Sequence, residues 1–170
     1  ILDVQVKSTE LASARMRLDD DFARRLRDCA AQLGVPPSVL FHVAWAQVLA
    51  RCTGGHDVVF GTVLSGRLQG AAGDDRTLGM FINTLPLRLS LGGETRQVIR
   101  QSYDRMVSLL AHEQAPLVLA QRCSGVPLPL PLFTTLLNYR HSVDAATRAA
   151  AELEGIRLLS VHEAANYPIS

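Results

Sequence analysis

The chain has 170 residues, 48% of them hydrophobic and 19% charged, with a formal net charge of +1; this composition fits one globular domain and argues against a disordered chain. The densest basic group, Arg24, Arg25 and Arg27, sits among Asp19, Asp20, Asp21 and Asp28, which reads as a solvated helix face and argues against a nucleic-acid surface. The three cysteines, Cys29, Cys52 and Cys123, include no CxxC and argue against a disulfide framework or zinc site, and no apolar run reaches the roughly 18 residues of a membrane span.

Polarity alternates from Ala14 to Leu18, which predicts a strand. Asp19 or Asp20 is placed to cap the helix that follows, because a carboxylate accepts from the free amides of a first turn. Phe22, Leu26, Cys29, Ala30 and Leu33 recur on one face of that helix, and Gly34 ends it. Pro36-Pro37-Ser38 opens a second helix with a wide apolar stripe of Leu40, Phe41, Ala44, Trp45, Val48, Leu49 and Cys52. It is expected to be more buried than the first, and Gly54-Gly55 closes it. Cys29 and Cys52 lie on these apolar faces and read as small packing side chains; with no disulfide framework, a reducing cytoplasm is the expected location.

Asp57 to Leu64 is a continuous apolar run rich in β-branched residues, predicting a strand buried on both faces. Ser65-Gly66-Arg67 leads into a loop with Gly70 and Gly73. Met80 to Leu91 predicts a further strand, with Pro86 at a bulge or an edge. Glu94 to His112 predicts a third long helix, with Val98, Ile99, Ser102, Met106, Leu109 and Leu110 facing inward. Pro116 begins a short helical piece through Arg122.

The alternate prolines of Val126 to Pro131 predict an extended, polyproline-like connector. A rigid linker is favoured over a ligand for a proline-recognising domain, since no basic residue flanks it. Leu132 to Tyr139 and Gly155 to Val161 predict two more strands, and Asn166 to Ile169 the start of another. Strands and helices without strict βαβ alternation predict an α/β two-layer sandwich, one sheet covered by helices. Ile1 in place of an initiator methionine, and an end just after Tyr167-Pro168-Ile169, read as an excised piece with no leader of its own.

Composition and spacing alone reveal no active site. A general base needs an imidazole with an orienting partner. Of five histidines, His42 reads as a packed or surface residue, His56 as part of a turn, and His112 as a helix-end residue favoured by the dipole. His141 and Asp144 are the one pair worth testing, and no oxyanion stabiliser stands near them. No HxxxH, HExxH or cysteine cluster offers a metal site, so none is expected. Neither a Walker loop, a GxGxxG nor a GxSxG elbow occurs.

Five ordered segments nevertheless resemble the condensation domains of nonribosomal peptide synthetases. Asp57-Val58-Val59-Phe60-Gly61-Thr62-Val63-Leu64-Ser65-Gly66-Arg67 resembles that family's buried strand and its SGR exit. Leu78-Gly79-Met80-Phe81-Ile82-Asn83-Thr84-Leu85-Pro86-Leu87-Arg88 resembles its GxFxNTxPxR signature. Phe41 to Arg51 resembles the preceding helix, His112-Glu113-Gln114-Ala115-Pro116-Leu117 a variant of the HQDxPFE segment, and Leu132 to Tyr139 the NPLFxxxxxxQN strand. Gln114 and Val118 depart from the family pattern, where Asp and Glu are usual.

The resemblance implies one lobe of a chloramphenicol-acetyltransferase-like fold, with a mixed sheet covered by helices. Residues 1–170 would be the carboxy-terminal lobe, incomplete at both ends, and the amino-terminal lobe that carries the HHxxxDG motif would be its partner. No His-His pair occurs in this chain, so no catalytic residue is assigned to it. The implied reaction joins aminoacyl or peptidyl groups delivered by donor and acceptor carrier proteins on phosphopantetheine arms. No cofactor is then bound directly, an adenylation domain is adjacent, and nucleic acid and membrane are not partners.

By the same resemblance Ser65, Arg67, Gly79, Asn83, Thr84 and Arg88 lie at or near the floor loop of the channel between lobes. Asn83 and Thr84 are short polar residues able to hold a sharp strand exit, and Arg88 is placed to anchor the loop or pair with a carboxylate. A structural role in shaping the loop is favoured over substrate contact, and positioning is itself a catalytic contribution. The alternatives are a non-catalytic carrier-protein-binding scaffold module and a lobe of a coenzyme A-dependent acyltransferase. Faces built to meet the missing lobe are expected to be exposed and apolar, and the chain to self-associate.

Overall fold

In the computed structural model, residues 13–65 and 81–140 are described. Residues 13–19 form no strand. Their alternation is real, but Met16 is 82% exposed and no neighbouring strand among the described residues takes up their backbone groups; alternation without pairing does not make a strand. Asp19 caps α1 (Asp20–Leu33), its carboxylate accepting from the Phe22 amide at 2.7 Å. Gly34, at φ 67°, closes the helix in the left-handed conformation that glycine adopts without a Cβ clash.

Only Ala30 of α1 is fully buried, while α2 (Pro37–Thr53) buries Val39, His42, Val43 and Ala46. The buried line of α2 is rotated from the expected stripe: Leu40, Phe41, Trp45 and Leu49 are half-buried flanks, and Ala44, Val48 and Cys52 are exposed. α2 is apolar round much of its circumference, so its pattern does not single out one face and packing decides. Cys29, Cys52 and Cys123 are all exposed, which corrects the reading of Cys29 and Cys52 as packing residues. Both sit at the rims of helix faces whose centres are taken by Ala30 and Ala46.

The described sheet has three strands in the order β2-β1-β3. β1 (Asp57–Leu64) pairs antiparallel with β2 (Asn83–Ser90), and parallel with β3 (Leu136–Leu137), so the sheet is mixed as expected. Opposite residues of an antiparallel pair share a face. Val58, Phe60, Thr62 and Leu64 therefore share one with Leu89, Leu87, Leu85 and Asn83. This is the face toward the helices. On the other face Asp57 and Arg88 are exposed and Val59 is 38% exposed. Burial on both faces thus holds only for the second half of β1, where Phe133 lies over Gly61.

Pro86 sits opposite Gly61 in unbroken register, on the edge strand of the described sheet. It needs no bulge there, since an edge position does not require its missing donor. β3 is far shorter than the strand expected over 132–139. Gly61 donates to the Thr135 carbonyl at 2.9 Å, and pairing ends with Thr62 and Leu137.

α3 (Thr95–Leu110) buries Val98, Ile99 and Ser102, and α4 (Leu117–Cys123) follows. The proline segment is not an extended connector. The Leu130 amide donates to the Pro127 carbonyl at 3.0 Å, and the Leu128–Pro129 bond is cis. Gln121 Nε2 donates to the carbonyls of Val126 and Leu130, at 3.2 and 3.1 Å. A polyproline helix has no internal hydrogen bonds; here a side-chain amide on α4 supplies donors and gathers the segment into a turn.

Two buried clusters form the core. Ala30, Val35, Val39, Val43, Val98 and Ile99 join the three long helices. Ala46, Val58, Phe60, Leu87 and Leu89 join α2 to the sheet. Leu91 and Met106 pack against both and tie them together. The strands expected at 155–161 and from 166, and the His141–Asp144 pair, lie outside the described residues. Among the described residues no single helix is long and apolar enough to cross a membrane.

Candidate functional site

The exit of β1 and the entry of β2 lie side by side, because the antiparallel register sets Leu64 opposite Asn83. Ser65 follows directly and is exposed. Asn83 is the best-connected of the candidate residues. Its Nδ2 donates to the carbonyls of Glu113 and Ala115, each at 2.8 Å. Its Oδ1 accepts from the Thr84 amide at 2.9 Å. Only the last bond is the local one that the sequence implied. The other two clamp the start of β2 to the turn between α3 and α4.

That turn is the His112–Leu117 segment. His112 is exposed, its Nδ1 3.1 Å from the Ser108 carbonyl, and the Glu113 side chain is buried. Phe81, Ile82, Asn83, Glu113, Gln114 and Pro116 line a cleft of about 260 Å³. Two of the resembling segments therefore meet in space through Asn83.

Arg88 stands apart from this group. It lies five residues along β2, about 17 Å at ~3.4 Å per residue, and pairs with Asp57 at the start of β1. Nε is 2.9 and 3.1 Å from the two carboxylate oxygens, and Nη2 is 2.5 Å from Oδ2. These hydrogen bonds, helped by the guanidinium charge, hold the Asp57 carboxyl below its ordinary value. The expected pairing with a carboxylate is present, at the opposite end of the ladder from Asn83. Thr84 is half-buried opposite Val63. Arg67 and Gly79 lie outside the described residues.

His42 is the polar residue that sequence reasoning underrated. Its ring is buried, with Nδ1 2.7 Å from the Ser38 carbonyl and Nε2 2.7 Å from Thr62 Oγ1. A carbonyl only accepts, so Nδ1 carries the proton and Nε2 accepts from the threonine hydroxyl. Burial lowers the imidazole's pKa from its ordinary value, against the opposing pull of the Ser38 carbonyl. A signal was present in the sequence. Thr62 is the one polar side chain in the run 58–64, and a buried hydroxyl needs a partner.

With both nitrogens engaged inside the core, His42 is not a base open to a substrate. Among the described residues no group of acidic, histidine or cysteine side chains is arranged to hold a metal ion. What Asn83 offers at this site is a side-chain amide that holds two main-chain carbonyls in fixed places, which is chemistry of positioning.

Comparison with known proteins agrees with this architecture. The family described as "Condensation domain" matches residues 3–170. Malpibaldin synthetase of Mortierella alpina is 45% identical over 98% of this chain, and vanchrobactin synthetase VabF of Vibrio anguillarum 30% identical over 96%. The chain spans only 3% and 6% of the length of these two relatives. Among solved structures, the first condensation domain of the CDA synthetase superposes with a TM-score of 0.56 at 29% identity, over 66% of this chain and 26% of that one. The fold is that of the chloramphenicol-acetyltransferase-like condensation domains, and the chain belongs to the condensation-domain family of nonribosomal peptide synthetases.

Proposed function

We propose that this chain is the carboxy-terminal lobe of a condensation domain and serves amide formation between carrier-tethered thioesters. In that reaction the acceptor amine attacks the donor thioester carbonyl. A C–N bond forms, the C–S bond breaks, and the amine proton passes to the departing thiolate. The phosphopantetheine arms of donor and acceptor carrier proteins supply both groups, and the amino-terminal lobe supplies the HHxxxDG histidine. An adenylation domain loads the carriers, and the cytoplasm is the location this reading assigns.

The observation that carries the reading is the Asn83 clamp. One amide side chain of the NTxP segment binds the variant HQDxPFE turn at two carbonyls, within a chain that matches the family over residues 3–170. In this reading Ser65, Asn83 and Thr84 shape the channel end of the sheet, and Arg67 and Gly79 belong to the same loop. Arg88 braces the far end of the ladder through Asp57.

The test is amide formation by the intact polypeptide that contains this chain, with loaded donor and acceptor carriers, read by mass spectrometry. Asn83→Ala is expected to lower the rate of product formation while leaving carrier loading intact. Product formed equally well by Asn83→Ala and Ser65→Ala variants would contradict the assignment of the site. Transfer from an acyl-coenzyme A but not from a carrier would instead identify a coenzyme A-dependent acyltransferase lobe. Carrier binding without any amide product would identify a scaffold module.

A further inference from the structure

Thr62 occupies a junction. It pairs with Leu85 on β2 and with Leu137 on β3, and it stands three residues before Ser65. Its hydroxyl is on the helix-facing side of the sheet, where Ala46 of α2 shares an apolar cluster with Val58 and Phe60. Those contacts have no preferred direction. The His42–Thr62 bond does: at 2.7 Å it ties α2 to the last half of β1 by a directional link.

The ring is engaged at both nitrogens. Nδ1–H is held by the Ser38 carbonyl one turn back on α2, and the Phe60 ring lies against it at a centroid distance of 6.0 Å. Nε2 is therefore aimed at Thr62 from a fixed position. The groups that act on the imidazole are the Ser38 carbonyl, the Thr62 hydroxyl and the Phe60 ring, and among the described residues no charged side chain contributes to its environment.

We propose that His42 is a positioning residue for the channel end of the sheet: through Thr62, its neutral imidazole fixes the height at which β1 delivers Ser65 beside Asn83. This rests on the functional reading above and adds to it a buried residue of α2. Protonation of Nε2 would turn an acceptor into a donor facing a hydroxyl whose hydrogen already points at it. The hydroxyl, which can also accept, must then turn its oxygen to the new donor, so protonation reverses the link rather than removing it.

The test uses the intact polypeptide, with kcat and KM for carrier-bound substrates measured across pH and the His42 ring followed by 15N NMR. Thr62→Val keeps the side-chain shape and removes the donor. It is expected to lower kcat roughly tenfold or more, with KM for the carriers unchanged, since misplacement of a site by a fraction of an ångström acts on the transition state. Thr62→Ser, which keeps the hydroxyl, is expected to return kcat to within about twofold. NMR is expected to show the Nδ1–H tautomer.

An active wild type whose kcat is unchanged in a folded Thr62→Val variant overturns the inference alone. A ring found as the Nε2–H tautomer does the same. If Thr62→Val does not fold, Thr62→Cys, which keeps only a weak donor at that place, decides: a lowered kcat with KM for the carriers unchanged supports the inference, and a kcat equal to that of the wild type overturns it. A wild type without any amide-forming activity overturns the functional reading, and this inference with it.

Discussion

The side-chain amide of Asn83 donates both of its hydrogens to main-chain oxygens, those of Glu113 and Ala115, each at 2.8 Å. Its oxygen is also used, accepting from Thr84 at 2.9 Å. Both donors and one of the two acceptor lone pairs of the asparagine are filled, and no other residue of that length can fill all three roles.

Asn83→Ala is accordingly expected to destabilise the chain by ~1–3 kcal/mol, leaving half-buried carbonyls without donors. Asn83→Asp is expected to cost more, because a carboxylate would face two carbonyl oxygens with nothing to donate. Urea unfolding of the two variants checks the order; an aspartate variant as stable as wild type would refute the clamp.

Gly61 and Phe133 form a steric pair on the opposite face of the sheet. A Cβ at Gly61 would stand 2.5 Å from Phe133 Cε2 and 2.9 Å from Leu136 Cδ1. Gly61→Ala is expected to cost ~1–3 kcal/mol by overpacking. Combining it with Phe133→Leu should recover part of that loss. A double-mutant cycle reads the coupling, and strictly additive effects would show that the ring moves aside freely.

Asp57 and Arg88 are an exposed pair, and the carboxyl is held below its ordinary value by the guanidinium hydrogen bonds. The sign follows from the depressed pKa. The stabilisation is present above the unfolded carboxyl pKa and is lost as pH falls through the lower folded one. Both partners face solvent, so the effect on stability is small and screened by salt. Arg88→Gln is expected to move the Asp57 titration upward in a carboxyl-detected NMR experiment, with little change in unfolding midpoint. An unmoved titration would break the assignment.

The lowered pKa of His42 gives an acid-side dependence of a different kind. Below about pH 6.5 the unfolded chain takes up this proton while the folded chain does not. Stability therefore falls as pH drops from that point to the folded pKa, with a slope of at most ~1.4 kcal/mol per pH unit from this group. Below the folded pKa the loss from this group is complete. Unfolding curves of wild type and a His42→Phe variant, compared from about pH 7.5 to 5, isolate the term from His56 and His112. Parallel pH dependences would contradict it.

The bounds of the helices were legible because their chemistry is local. Asp19 reaches an amide three residues on, and Gly34 and Gly54 take left-handed turns that their own lack of a side chain permits. The β1 run was legible for a related reason: a dense apolar, β-branched segment has few other places to go. The candidate site was only half legible. Ser65, Asn83 and Thr84 do gather at one end of the β1–β2 ladder, whereas the chain-order proximity of Arg88 to Asn83 says nothing about distance along an extended strand.

The sequence by itself therefore determined the four helices and the strands β1 and β2, where α1 and α2 begin and end, and the family. It did so through interactions that span four residues or fewer and through the ordered motifs. The tertiary structure decided which face of α2 turns inward, how little of residues 132–139 pairs as strand, and that Gln121 folds the proline segment into a turn. It also decided two polar links between distant segments, His42 to Thr62 across 20 positions and Asn83 to Ala115 across 32. Such partners are chosen by where packing brings the chain together, and the energy of a buried hydrogen bond depends on a partner that no local window contains.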